Sequence, residues 1–147
     1  MKALAAAIGK GVVAGFVGTA AMTVSSTVEA KLRGRAFSTA PAKAAQKVLG
    51  IETFSSPAAE ERFSNLVHWG YGTGWGVARG ILGLMLPSKV AGLAHFGAIW
   101  GGALVMLPVL DVAPPVWEWE GEDVAIDVFH HVVYATATAV AYELLDR

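Results

Sequence analysis

The 147-residue chain contains no cysteine. That single absence excludes disulfides, thiolate metal sites, iron–sulfur clusters and cysteine nucleophiles. Charge is also scarce: Asp, Glu, Lys and Arg make up 16% of the residues, whereas a soluble domain carries about a quarter. The net charge is −1, so no basic surface points to nucleic acid as a partner. There is no P-loop, no GxSxG elbow and no HExxH pair. An enzyme is therefore the least favoured class, and no catalytic residue is assigned.

What fills the chain is apolar. Hydrophobic residues make up 54% of it, and the mean hydropathy is +0.51. Four runs carry this character: residues 3–24, 65–86, 89–110 and 124–145. Each has the roughly 20 residues that a helix needs to cross a bilayer core, and none has a charged outer face. The sequence predicts an all-α, integral membrane four-helix bundle running up-down-up-down, with residues 1–147 as one membrane domain. Lys10 interrupts the first run, and no clean small-x-small cleavage site follows it. The first run is therefore read as a retained helix rather than a signal peptide.

The connections sharpen this layout. Residues 39–62 form an interfacial segment. In TAPAKAAQKVLG, Thr39 stands as N-cap, Pro41 lies in the first turn and Gly50 lies past the end, which predicts a short amphipathic helix. Ser56 before Pro57 signals a second start that can run directly into the second span. Only Pro87 and Ser88 separate spans two and three, so those two form a tight hairpin. The third connection, DVAPPVWEWEGED, is acidic, and its Trp117 and Trp119 suit a membrane interface. We call the face bearing the two longer connections side A, and the face bearing the Pro87–Ser88 turn side B. Lys31, Arg33, Arg35, Lys43, Lys47 and Arg62 fall on side A, against Lys2, Lys10, Lys89 and Arg147 on side B. The positive-inside rule thus favours a cytoplasmic side A, by a thin margin.

Seventeen glycines suggest how the helices meet, because small residues let backbones approach closely in lipid. Gly11, Gly15, Gly18 and Met22 repeat with heptad spacing on helix one. Gly72, Gly76, Gly80 and Gly83 line one side of helix two, with Gly70 and Gly74 on the other. Glycine on two sides suggests close neighbours all round, a second copy or a larger membrane complex among them. GYGTGWG contains no GxGxxG phosphate fingerprint.

Ionisable groups inside a bilayer are costly and face the interior. Helical geometry puts Asp127, His131, Tyr134 and Thr138 on one stripe of helix four, with His130 about 60° to one side of Asp127. His68, near the start of helix two, lies at the same depth on side A. Glu118, Glu120, Glu122 and Asp123 hang just outside. His68, Asp127, His130, His131, Tyr134 and Glu122 form the candidate polar site. Three readings of it stand side by side. In the first, the histidines only tie helices together. In the second, His68, Asp127 and His131 hold a divalent metal, or two histidines clamp a haem iron. In the third, the site binds a proton or ion. Arg79 and His95, in the side B half, form a secondary polar site with an anion as candidate ligand. Lys10 and Glu143 lie within snorkelling reach of side B.

The stretch PPVWEWEGEDVAIDVFHHVVYA resembles the YagU-like family of small bacterial inner-membrane proteins. So do His68 in NLVHWGYG, the LPSKVAGLAHFGAIWGGALVMLP run and the opening GVVAGFVGTAAMT. The resemblance implies a multi-pass protein of the bacterial inner membrane and carries over no catalytic residue. His68, Asp127 and His131 match the family's polar positions, while His130 stands where a small residue is expected. The function expected is that of a polar site at one membrane face, binding a proton, ion or metal in transport or envelope stress response. The rival expectation is a structural subunit with no chemistry of its own.

Overall fold

The computed structural model describes residues 1–36 and 38–147. Among these residues there are five α-helices and no strand: α1 (Lys2–Arg33), α2 (Ala40–Leu49), α3 (Pro57–Met85), α4 (Ser88–Val109) and α5 (Gly121–Leu145), with a single 3-10 turn at Val116–Glu118.

Local chemistry sets the ends. The Ser56 hydroxyl accepts the Ala59 N–H at 3.2 Å and Pro57 opens the first turn, so α3 starts where its signal stands and runs unbroken into the second apolar stretch. Gly34 closes α1 in the left-handed region at φ 63°, and the next N–H, of Arg35, returns to the Ala30 carbonyl at 3.0 Å. Gly50 ends α2 in the same way. Asp111 adopts φ 53° past the end of α4, a conformation that Asp tolerates better than most residues. The main departure from expectation is the length of α1, which continues to Arg33 instead of ending near residue 24. At 1.5 Å per residue it is about 48 Å long, against a hydrocarbon core of about 30 Å.

Three helices, α1, α4 and α5, are long and apolar enough to cross a membrane. α3 was expected to be the second span. It is long enough but less apolar, since its centre is made of glycines together with His68, Trp69, Trp75 and Arg79. Its position accounts for that composition, because α3 lies against both α1 and α4. α5 likewise contacts α1 on one side and α4 on the other. The bulky apolar side chains point outwards, including Phe16, Val17, Leu93, Val105, Phe129 and Val140. The largest fully buried side chains are instead Arg79, His95 and Thr138. Apolar outside and polar inside is the pattern of a protein made for lipid.

The α1–α3 contact is nearly bare backbone. A Cβ built on Gly15 would stand 2.6 Å from the Thr73 carbonyl oxygen and 2.8 Å from Gly76 Cα. Gly11, Gly72, Gly76 and Gly80 meet the facing helix equally closely. Gly70, Gly74, Gly97, Gly101 and Gly102 meet nothing within 4 Å, so the second glycine face of α3 has no neighbour within this chain.

Gly15→Ala should therefore destabilise the protein by about 1–3 kcal/mol through overpacking against rigid backbone. Gly9→Ala, on the same helix with open space around it, should be neutral or slightly stabilising. Thermal unfolding of both variants in detergent measures the difference.

Candidate functional site

The side A residues come from two helices, α3 and α5, and the structure distributes them over four helix pairs. His68 of α3 faces α1, its Nε2 2.8 Å from Thr23 Oγ1. The Thr23 hydroxyl also lies 2.7 Å from the Thr19 carbonyl, so its proton goes either to that carbonyl or to the ring. His130 of α5 also faces α1, with Nδ1 2.9 Å from Ser25 Oγ. Ser25 Oγ lies 3.0 Å from the Met22 carbonyl as well, and the tautomer of His130 follows from which of the two takes the hydroxyl proton. Asp127 turns the other way and accepts a 2.9 Å hydrogen bond from the indole N–H of Trp100 on α4. His131 stays on its own helix: Nδ1 donates to the Asp127 carbonyl at 2.8 Å and lies 3.5 Å from the Asp127 carboxylate. Tyr134 donates to the Gly72 carbonyl of α3 at 2.5 Å.

The groups thus share a depth without sharing a centre. His68 pairs with Thr23 rather than with Asp127 or His131. Among the described residues no three His, Asp or Glu side chains converge in a way that could hold a metal ion. The innermost stripe of α5 also differs from the expected one. It runs through His130, Tyr134, Thr138 and Tyr142, all buried, while Asp127 and His131 lie to its α4 side. α1 sets this choice. A Cβ on Gly18 would stand 2.9 Å from the Tyr134 carbonyl oxygen, so the backbone contact with α1 decides which arc of α5 is deepest.

One contact at side A is electrostatically unfinished. The Nε2 of His130 is buried without a hydrogen-bond partner and lies 3.6 Å from the Glu29 carboxylate. If Ser25 donates to Met22, the neutral ring turns a lone pair towards that anion; if Ser25 donates to Nδ1, Nε2–H faces it beyond hydrogen-bond distance. Both groups are shielded, His130 with 6% and Glu29 with 14% of the side chain exposed. Arg35 grips Glu29 through Nε at 2.9 Å and through Nη2. Arg33 stands 3.3 Å from the same carboxylate and also pairs with Glu122 of α5. The Glu29 hydrogen bond raises the pKa of Arg35 above its ordinary value, so that partner stays charged. Glu122 is therefore the arginine-linked edge of this network rather than a partner of the histidines.

Sequence reasoning passed over Ser25 and Glu29 because it ended helix one at residue 24, and it gave no role to Thr23 within that run. The signal was nevertheless present. The 4-3 spacing of Gly11, Gly15, Gly18 and Met22, carried two steps further, lands on Ser25 and Glu29.

The secondary site divides as well. His95 is fully buried and donates to the Trp75 carbonyl at 2.9 Å. Arg79 reaches towards side B, where its Nη2 donates to Ser88 Oγ at 3.1 Å. No hydrogen bond joins Arg79 to His95. The chain matches no protein-family model, no curated protein and no solved structure.

Since His68 and Asp127 share no partner, His68→Ala and Asp127→Ala should destabilise additively, within about 0.5 kcal/mol. Trp100→Phe and Asp127→Ala share one hydrogen bond and should couple by about 0.5 kcal/mol or more. Double-mutant cycles on unfolding in detergent separate the two cases.

Proposed function

We propose that this is a small multi-pass protein of the bacterial inner membrane, of the YagU-like kind, with α1, α3, α4 and α5 crossing up-down-up-down. Its activity, on this reading, is a response to protons at side A. The carrying observation is the His130–Glu29 contact. A buried imidazole nitrogen without a partner faces a carboxylate held by two arginines. Histidine is the side chain whose charge ordinarily changes between about pH 5 and 8. A second proton on the ring would turn this contact into an ion pair between α5 and α1.

The groups that face His130 support this assignment. From α1 they are Ser25 and Glu29, with Arg33 and Arg35 behind Glu29. From its own helix, Asp127 is committed to Trp100 and Glu122 to Arg33. Proton binding would therefore act on how the side A ends of α1 and α5 are held together, as a sensor in an envelope stress response or a regulated transporter requires. A structural role without chemistry is the second reading. It is favoured by His68, His95 and His131, each of which already has a hydrogen bond within or between helices.

The test is histidine NMR of the full chain in detergent. The His130 ring resonances should respond when protons are added. Glu29→Gln should alter that response, while Asp127→Asn leaves it unchanged. A His130 signal that does not move on acidification, or one indifferent to Glu29, would leave the structural reading in place. Metal analysis and an absorption spectrum of the same sample test the metal and haem alternatives directly.

A further inference from the structure

Arg79 is the most costly side chain in the fold. It sits in α3, 1% exposed, and has no carboxylate within ion-pair distance among the described residues. Of its five N–H donors one is used, from Nη2 to Ser88 Oγ at 3.1 Å. Nε and Nη1 are buried without partners. The guanidinium carbon lies 4.7 Å from the centre of the Tyr142 ring, which holds the planar group in place. Such a group is expected to pair or to neutralise its charge, and arginine cannot lose its proton.

The guanidinium lines a cleft of about 230 Å³ at side B, bounded by the α3–α4 turn and the end of α5. Gly83 keeps the cleft open, since a Cβ there would stand 3.0 Å from Nη1 and 3.2 Å from the Tyr142 ring. Two carboxylates line the cleft, and each has another partner. Asp146 is paired with Lys10 at 2.9 Å. Glu143 accepts the Ser88 hydroxyl at 2.5 Å and so reaches Arg79 only through that hydroxyl. Arg147 adds a second guanidinium to the lining. The charges of Arg79, Arg147 and Lys10 exceed those of Glu143 and Asp146 by one.

We propose that this cleft is a binding site for a phosphoryl group, with Arg79 donating through Nη1 and the second N–H of Nη2, the end-on edge of the guanidinium, to two oxygens on one phosphorus. The planar fork of a guanidinium matches that geometry, which a lone ammonium does not. The group belongs to a phospholipid headgroup or to free phosphate. The cleft's place beside the hairpin turn at side B makes both accessible. This site lies at the opposite face from the His130–Glu29 contact and does not depend on it.

The experiment uses the full chain in an uncharged, phosphate-free maltoside detergent and reads the thermal midpoint in two arms. One arm titrates inorganic phosphate and the other a short-chain phosphatidylglycerol. A saturable rise in the midpoint is expected in at least one arm. A rise with the lipid alone identifies a headgroup site, and a rise with phosphate alone identifies a free-anion site. Arg79→Gln should weaken the apparent affinity roughly tenfold or more, the fold-change corresponding to lost charge-assisted hydrogen bonds. Gly83→Val, which keeps the charge but fills the cleft, should weaken it as well. Glu143→Gln, which removes the competing carboxylate, should tighten it. No rise in either arm, or Arg79→Gln and Gly83→Val that both bind as the wild type does, would overturn the proposal.

Discussion

The close approach of α1 to α3 governs everything else in this fold. In lipid there is no hydrophobic drive to push two apolar helices together, so association rests on contact between well-fitted surfaces. Gly11 and Gly15 on one helix and Gly76 and Gly80 on the other bring the two backbones into direct contact, while Gly72 makes room for the Thr19 side chain. That contact fixes the rotation of both helices. It turns Thr23, Ser25 and Glu29 towards α3 and α5 and sends Phe16 and Val17 outwards. It also allows α3 to be the least apolar of the long helices, because the glycines that lower its hydropathy are the same ones that admit α1.

Once that rotation is set, the polar side chains have few choices. Each histidine finds a neutral partner at the interface where it emerges: Thr23 for His68, Ser25 for His130, and a backbone carbonyl for His95 and His131. Buried polar groups in a bilayer have no water to fall back on, so pairing is the ordinary outcome. Among the described residues four side chains break the rule. Two of them, His130 through Nε2 beside Glu29 and Arg79 through Nε and Nη1, lie towards membrane faces, where a proton or an anion can arrive from outside. The other two, Nδ1 of His95 and the Thr138 hydroxyl, are buried in the interior and line neither the Arg79 cleft nor a membrane face.

Much of this was legible in the sequence, and the failures are instructive. The apolar runs located three helices long and apolar enough to cross a membrane and a fourth long helix, and Ser56-Pro57, Thr39-Pro41 and Gly50 marked the boundaries of α2 and α3. The glycine spacing marked the faces of helices one and two that are closely packed, but not that they pack on each other, and the second glycine face of helix two meets no neighbour among the described residues. The innermost stripe of α5 was misjudged by one position, with Asp127 and His131 in place of His130 and Tyr142. A helical wheel says which residues share a face but not which face a neighbour covers. Three of the residues around the side A histidines, Ser25, Glu29 and Trp100, were missed for different reasons. Ser25 and Glu29 lay beyond the end of the expected span, although within the 4-3 register. Nothing in the helix that carries Trp100 announces that its indole N–H meets Asp127.

The hydrogen bonds also constrain what a proton at side A could do. Between that face and Arg79, the buried donors end on backbone carbonyls: Tyr134 on Gly72, His95 on Trp75, and Thr19 on Gly15. A carbonyl oxygen accepts a hydrogen bond but has no proton of its own to pass on. A Grotthuss-type relay needs groups that both accept and donate, and the side-chain hydrogen bonds among the described residues do not join into a continuous chain of them. On the reading proposed above, a proton at His130 would act on the pairing of α1 with α5 around Glu29, because that is the contact its ring makes.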